Sequence, residues 1–109
     1  MSTRLQEPSF LILTALASGP QHGYGVIKNV ESISDGQITM RVGTLYGALD
    51  RLASTGLVEV DREEIVDSRL RRYYRLTETG RQRLRAEAER TRAQAQTALL
   101  RLGAAGALA

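Results

Sequence analysis

The chain has 109 residues and a formal net charge of +3, from 15 lysine and arginine residues and 12 acidic residues. That length is typical of one domain, and neither an N-terminal signal segment nor an apolar run near the ~20 residues of a membrane span is present, so we expect a soluble cytoplasmic protein. The absence of cysteine excludes disulfides and thiolate metal sites, and a single histidine leaves no imidazole cluster, so no metal or other cofactor is expected.

The N-terminal part of the chain predicts two helices. Residues 1–7 are polar and are expected to fray, whereas Pro8 fits a first helical turn and the apolar residues 9–17 predict a buried helix that ends before Gly19. Residues 21–33 predict a second helix, in which apolar side chains at every third position form one buried stripe. The members of this stripe are Tyr24, Ile27, Val30 and Ile33.

A third helix is predicted for residues 42–54. Asp35-Gly36 predicts a turn before it, residues 37–39 allow a very short strand, and Gly56 is a typical C-terminal stop. Apolar residues at helical spacing predict the buried side of this helix. They are Leu45, Ala48, Leu49, Leu52 and Ala53.

A β-hairpin is predicted after the third helix. Residues 57–60 indicate a strand, and the charged residues 61–69 contain few turn-specific residues, which favours a loose loop or hairpin tip. Residues 70–76 alternate in the manner of a second strand. One face of this strand carries Leu70, Tyr74 and Leu76, and the other carries Arg71, Tyr73 and Arg75.

The last helix is expected to start after Thr77, a suitable N-cap, and to end at Leu102, with residues 103–109 disordered. Such a helix is about 37 Å long, whereas a compact domain of this size is about 30 Å across. We therefore expect the helix to project from its domain and to form a twofold homodimer, with a solvated tail after Arg92 as the alternative. The expected interface residues are Phe10, Leu84, Ala88, Ala95, Leu99 and Leu102.

This order of elements is that of a winged helix-turn-helix, a mainly α fold with a small β-hairpin. The chain resembles the PadR family of bacterial transcriptional regulators over about residues 10–80, and three segments carry the resemblance: HGYGVIKNV, GTLYGALDRLASTGLVEV and RRYYRLTETG. The motifs G-T-L-Y, L-x-x-L, G-L-V and R-x-Y-Y-x-L-T-x-x-G follow in the order and spacing of the family. Most members have proline after the tyrosine of G-T-L-Y, which fits a first helical turn, whereas this chain has Gly47, at a cost of up to ~1 kcal/mol in helix propensity.

The resemblance implies a winged helix-turn-helix DNA-binding domain in residues 1–76 and a dimerisation helix in residues 77–102. It also implies a homodimeric repressor of a palindromic double-stranded operator, and in several members a small aromatic or drug-like effector releases the DNA. This chain has no tryptophan and no aromatic residue after Tyr74. We therefore expect weak or absent binding of flat aromatic drugs, with Phe10 as the remaining aromatic contact.

Candidate DNA contacts lie at the start of the third helix, because recognition helices read bases from their N-terminal residues. By resemblance to the family motif, Thr44 and Tyr46 contact DNA. Thr44 can instead cap the helix, and Tyr46 can pack in the core. Arg41 is expected to contact the backbone or an adjacent base, whereas Arg51 can pair with a neighbouring acid instead.

Arg71 and Arg72 are the candidates in the hairpin, since arginine in a narrow A·T-rich minor groove adds salt-dependent affinity. The alternative is a solvated tip, or ion pairs with the acids Glu63, Glu64 and Asp67. Tyr24 begins the second helix, where helix-turn-helix proteins cross the DNA backbone, but it also begins the predicted core stripe.

Two other function classes compete with a repressor. Acids in the hairpin repel phosphate, so a winged helix kept for protein interaction or dimerisation, with little DNA affinity, is the alternative. The arginine content alone does not decide, because a high-GC genome also favours arginine codons. The chain shows no phosphate loop, metal spacing or nucleophile elbow, so no enzyme is expected.

Overall fold

Four helices and a small three-stranded sheet make up the fold. The computed structural model describes residues 4–108. For the last five of these, residues 104–108, it describes the backbone alone. The sheet has the order β1-β3-β2, and both pairs of strands are antiparallel. The elements in chain order are α1 (Glu7–Leu16), β1 (Gln21–His22), α2 (Gly23–Ile33), α3 (Val42–Ser54), β2 (Val58–Val66), β3 (Arg69–Leu76) and α4 (Glu78–Leu108). This mainly α arrangement confirms the predicted winged helix-turn-helix with a long C-terminal helix.

The first helix supplies much of the core. Pro8 lies in its first turn, as predicted. Its buried residues are Leu11, Ile12, Leu13, Ala15 and Leu16. The segment before it does not simply fray, because Leu5 packs against the core and its N–H donates to Oε1 of Glu87 at 3.4 Å. Residues 1–3, which were also expected to fray, lie outside the described part of the chain.

The predicted buried stripe of α2 is wrong at both ends. Tyr24 is 64 % exposed and Ile33 is 41 % exposed. The buried residues are Gly23, Val26 and Val30. Apolar residues at every third position are compatible with more than one buried face of a helix. Gly23 has no apolar side chain, so nothing at that position indicated which face of α2 is buried. The strand β1, which the sequence did not predict, precedes this helix because Gln21 and His22 pair with Tyr74 and Tyr73 of β3.

The third helix has the predicted bounds and the predicted leucine stripe. Its buried residues are Leu45, Ala48, Leu49 and Leu52, whereas Ala53 is exposed. Gly56, at φ +79°, ends the helix as predicted. Its N–H donates to the Ala53 carbonyl at 3.0 Å, and the Leu57 N–H donates to the Leu52 carbonyl at 2.9 Å, which is a Schellman motif. Residues 37–39 form no strand.

The hairpin of β2 and β3 (Val58–Leu76), which we call the wing, is longer and tighter than predicted. The residues expected to form a loose loop mostly extend β2, and the turn consists of Asp67 and Ser68 alone. Both turn residues have positive φ, 51° and 63°, which is the geometry of a type I′ turn. A bulge between Val60 and Arg62 leaves Asp61 without a partner in the register.

The junction between the wing and α4 is built around the carbonyl of Leu57. The Thr77 N–H donates to this carbonyl at 3.1 Å. The Thr77 hydroxyl accepts the Gly80 N–H at 2.9 Å, which confirms the predicted N-cap. The first turn of α4 lies so close to β2 that a Cβ on Gly80 would lie 1.9 Å from the Leu57 oxygen. Only glycine fits at this point of contact.

The last helix projects from the domain, as expected. The molecule measures 64 × 31 × 21 Å, and every described α4 side chain after Glu87 is exposed. The helix continues to Leu108, so its predicted end at Leu102 and the predicted disorder of residues 103–108 are wrong, because Gly103 and Gly106 each cost only ~1 kcal/mol among alanine and leucine neighbours. Ala109 lies outside the described residues. Within residues 4–108, no helix combines the length and apolarity needed to cross a bilayer.

Candidate nucleic-acid interface

The start of α3 is open to solvent. Arg41 is its N-cap residue, with an extended backbone and no side-chain cap bond, so Thr44 is not the cap that the sequence allowed. Arg41, Val42 and Thr44 are all exposed, while Leu45 between them and Tyr46 is fully buried. Gly47 lies in the second turn and not the first, so the helix starts normally despite this glycine. The first turn therefore presents its polar and apolar side chains outward.

Tyr46 joins α3 to the start of α2. Its hydroxyl lies against Gly23, where a Cβ would be 2.6 Å from that oxygen. Its ring lies 6.4 Å from the ring of Tyr74, which is buried on β3. Tyr46 is nevertheless 38 % exposed. The side chain therefore packs in part, as the core alternative allowed, and its remaining exposure leaves the DNA contact a prediction.

Tyr24 stands on the exposed side of α2. The ammonium of Lys28, one turn later, lies 5.5 Å from the centre of its ring. The exposure of Tyr24 removes the core-packing alternative that the sequence left open. Lys28 was not singled out from the sequence, although its i+4 spacing from Tyr24 was a readable signal.

His22 holds the first turn of α2 in place. Its Nδ1 accepts the Gly25 N–H at 3.3 Å, and its ring meets that of Tyr73 edge-on at 5.4 Å. Burial, and then the positive charge of Arg71, lower the pKa of His22 from its ordinary value of 6.5. The imidazole is therefore neutral near pH 7 and can accept this bond.

One groove of about 630 Å³ lies between the start of α2, Tyr46 and the wing tip. Its lining includes Tyr24, Tyr46, Arg69, Arg71 and Arg72. Four of the six residues predicted to contact DNA thus line a single concave surface, while Arg41 and Thr44 lie on the exposed turn that leads to Tyr46. Arg69 was missed from the sequence because it was assigned to a loose loop.

Ion pairs neutralise part of the wing. Arg75 pairs with Glu59 at 2.8 Å and with Asp61 at 3.2 Å. Arg62 pairs with Asp61 at 3.0 Å and Glu64 at 2.8 Å, and its guanidinium carbon lies 3.9 Å from the centre of the Tyr73 ring. The hydrogen bond from Arg62 holds the pKa of Glu64 below its usual range. These arginines are therefore held on the wing itself.

The arginines near the tip are more accessible. Within residues 4–108, the one ion pair of Arg72 is a longer contact with Glu63, at 3.6 Å, which is one of the ion pairs that the sequence allowed. Within residues 4–108, no carboxylate lies within 4.0 Å of the guanidinium of Arg69 or Arg71. The free positive charge of the wing is thus concentrated at the groove.

The residues predicted to form a dimer interface fall into two groups. Phe10 and Leu84 are half-buried against the core of their own chain. Ala88, Ala95, Leu99 and Leu102 are exposed along the projecting part of α4. Glu87, buried between α4 and the segment before α1, pairs with Arg90.

The fold and this groove define a winged helix-turn-helix protein, and the chain belongs to the PadR-like family of transcriptional regulators. Residues 12–86 match the model of the family described as "Transcriptional regulator PadR-like family". The match confirms the family expected from the motifs, and with it the prediction of a regulator of transcription and not an enzyme.

Two curated relatives are similar over part of their length. An uncharacterised 37.1 kDa protein of transposon TN4556 from Streptomyces fradiae is 36% identical over 85 residues, which are 78% of this chain and 23% of that protein. The transcriptional regulator YqjI of Escherichia coli K12 is 34% identical over 58 residues, 53% of this chain and 28% of that protein. The chain thus spans about a quarter of the length of these relatives.

Solved structures share the fold over most of the chain. A transcriptional regulator from Clostridium thermocellum aligns with a TM-score of 0.69 and 26% identity, over 82% of this chain and 86% of that one. Bacillus subtilis PadR in complex with operator DNA aligns with a TM-score of 0.66 and 22% identity, over 74% of this chain and 46% of that one. At this identity the second likeness concerns the fold alone.

Proposed function

We propose that the protein is a cytoplasmic repressor of transcription that binds a palindromic double-stranded operator as a homodimer. The observation that carries this proposal is the groove in which Tyr24, Tyr46, Arg71 and Arg72 meet. Tyrosine hydroxyls and guanidinium groups donate to phosphate oxygens, and here they converge on one concave surface next to the open start of α3. The similar PadR structure with operator DNA supports the same use of the fold.

Each part of the surface has a separate role in this proposal. The first turn of α3, with Arg41 and Thr44, enters the major groove, where a helix fits and bases differ in their hydrogen-bonding edges. Tyr24 meets the phosphate backbone from the start of α2. Arg71 and Arg72 reach the adjacent minor groove from the wing, where A·T-rich sequence concentrates negative potential.

Fluorescence anisotropy with a labelled fragment of the protein's own upstream region, measured at several salt concentrations, tests DNA binding. Removing one phosphate contact lowers the slope of log K against log salt by about 0.9, so Arg71→Ala should lower it by roughly 2 in a dimer with two wings. Arg75→Ala is the matched control, because it removes the same charge from an arginine that Glu59 and Asp61 hold. Binding without salt dependence, or equal decreases in both variants, would contradict the proposal.

The projecting half of α4 supports the homodimer. Leu99 and Leu102 are each 69% exposed and lie on one side of a helix whose described side chains are all exposed after Glu87. A second copy of the helix would remove this apolar surface from water. Leu99→Glu should shift the sedimentation profile from dimer to monomer, whereas Thr97→Glu, at an exposed residue on the opposite face of the same helix, should leave it unchanged. A monomeric wild-type chain at micromolar concentration would refute the dimer.

A second candidate is a protein-interaction module with little DNA affinity. The specific observation in its favour is the row of carboxylates along β2, at Glu59, Asp61, Glu63 and Glu64. These groups repel phosphate unless arginine neutralises them. The salt titration separates the two functions, because this module would show no salt-dependent shift at micromolar protein.

A further inference from the structure

Val42 is an apolar side chain at the start of α3 that the core does not use. It is 61 % exposed, whereas Leu45, three residues later, is fully buried. As the first residue after the N-cap Arg41 it makes no cap bond, and valine is a weaker helix former than alanine. Neither packing nor helix formation explains a branched apolar residue at this exposed position.

The side chains around Val42 limit what the first turn of α3 can recognise. Gly43 adds no side chain, and a Cβ there would meet nothing within 4 Å. Thr44 is exposed and offers a methyl group and a hydroxyl. From Val42 to Gly47 there is no asparagine, glutamine or acidic side chain, the groups that pair with adenine or cytosine edges. What this turn offers beyond Arg41 is mainly methyl groups.

We propose that Val42 and Thr44 select thymine by contacting its 5-methyl group in the major groove. This inference rests on the proposed DNA binding and specifies what α3 reads. The thymine methyl is the one apolar group on a base edge of the major groove, and short branched or methyl-bearing side chains are its natural partners. Arg41 beside Val42, and the positive end of the helix dipole, attract the phosphates that bring the turn close to the bases.

Uracil-containing DNA tests this interaction directly. The upstream fragment is amplified once with dTTP and once with dUTP, which preserves pairing and phosphates and removes only the 5-methyl groups. The wild-type protein should bind the uracil fragment about fourfold more weakly for each thymine methyl group that it touches, which corresponds to ~0.8 kcal/mol. The salt slope should be the same for both fragments, because no phosphate contact changes.

Variants assign the effect to the two side chains. Val42→Ala with Thr44→Ser removes the γ-methyl groups of both side chains, keeps a hydroxyl at residue 44 and changes only exposed positions, so folding should be retained. Its ratio of thymine to uracil affinity should approach one. Val60→Ala makes the same valine truncation at a half-exposed residue of β2 and should keep the wild-type ratio.

The outcomes separate this inference from the proposed function. Equal wild-type affinity for the two fragments overturns thymine selection and leaves DNA binding intact. A full thymine preference in the Val42→Ala, Thr44→Ser variant also overturns it, because the preference would then come from DNA shape. A wild-type protein without salt-dependent binding to the thymine fragment overturns both proposals.

Discussion

The close approach of Gly80 to the Leu57 carbonyl gives a stability prediction with a clear magnitude. In Gly80→Ala the new Cβ would lie 1.9 Å from the Leu57 oxygen and 2.9 Å from its carbon, both backbone atoms. The carbonyl cannot turn away freely, because it accepts the Thr77 N–H at 3.1 Å. Overpacking costs ~1–3 kcal/mol and a broken hydrogen bond ~1 kcal/mol, against a helix-propensity gain of up to ~1 kcal/mol. These terms sum to a decrease of ~1–3 kcal/mol in the free energy of unfolding, and because the atoms in the way are backbone atoms we expect the upper part of that range, about 2–3 kcal/mol.

Urea unfolding followed by circular dichroism, at one protein concentration for all variants, measures this decrease. The thermal midpoint should fall by about 10 °C, since 1 kcal/mol shifts a domain of this size by ~4 °C or more. Gly47→Ala is the matched contrast, because its Cβ would lie at an ordinary 3.6 Å from Nη1 of Arg51. The free energy of unfolding of that variant should rise by ~0.4–1 kcal/mol. A Gly80→Ala protein within ~0.5 kcal/mol of wild type would refute the argument.

Three further perturbations test separate features. Ser68→Gly should raise the free energy of unfolding by about 1 kcal/mol in urea, because Ser68 has φ +63° in a two-residue turn, a conformation that glycine adopts more easily. An unchanged free energy of unfolding would show that this backbone conformation is not strained. The pKa of His22 is lower in the folded protein than in the unfolded chain, so the unfolded chain binds the proton more tightly. The contribution of the neutral imidazole to stability is therefore present above pH 6.5 and is lost as pH falls through the folded-state pKa. Asparagine also caps helices but does not titrate, so His22→Asn should flatten the dependence of the melting temperature between about pH 7 and 5, and an unchanged slope would exclude His22 as its source. Flat aromatic dyes should bind weakly in a fluorescence titration, and submicromolar quenching that Phe10→Ala abolishes would contradict this.

The sequence predicted a helix correctly where its apolar residues are compatible with only one buried face. In α3 three leucines at helical spacing define the stripe, and Gly56 marks the end, so both were predicted correctly. The motif around Thr77 likewise predicted the start of α4. These features depend on residues within one or two turns of each other, which is the range that periodicity and capping describe.

Features that depend on distant residues were not predictable in this way. The two-residue strand β1 exists because its partners, Tyr73 and Tyr74, are about fifty residues away in sequence. The charged half of β2 is extended because it pairs with β3, not because its residues favour strands. Among the candidate site residues, Tyr24 is exposed, whereas its neighbour Gly23 is the residue of α2 that packs against Tyr46. Tertiary pairing overrode local composition in each case.

The acidic residues of the wing should keep its affinity for DNA below the affinity that its arginines alone would give. Between Val58 and Leu76 the five arginines are balanced by five carboxylates, with most of the acids on β2 and most of the arginines on β3. Glu63 lies opposite Arg72 in the register and contacts it at 3.6 Å, in a pair whose two side chains are each 45% exposed. An exposed pair of this kind is worth only ~0.2–1 kcal/mol, so a phosphate can displace the carboxylate, but the displaced charge then remains near the DNA.

Removing that carboxylate should therefore strengthen binding. Glu63→Gln keeps the shape of the side chain, frees Arg72 for contact with DNA and should raise the affinity for DNA by up to ~2 kcal/mol in the proposed dimer, which has two wings. Anisotropy at low and high salt checks this, because the gain should shrink as salt screens the charges. Glu59→Gln is the control, since Glu59 is opposite Arg75, away from the residues that line the groove. An equal gain in the control would show that net charge, and not the freed Arg72, sets the affinity, because the two substitutions change the charge of the wing by the same amount.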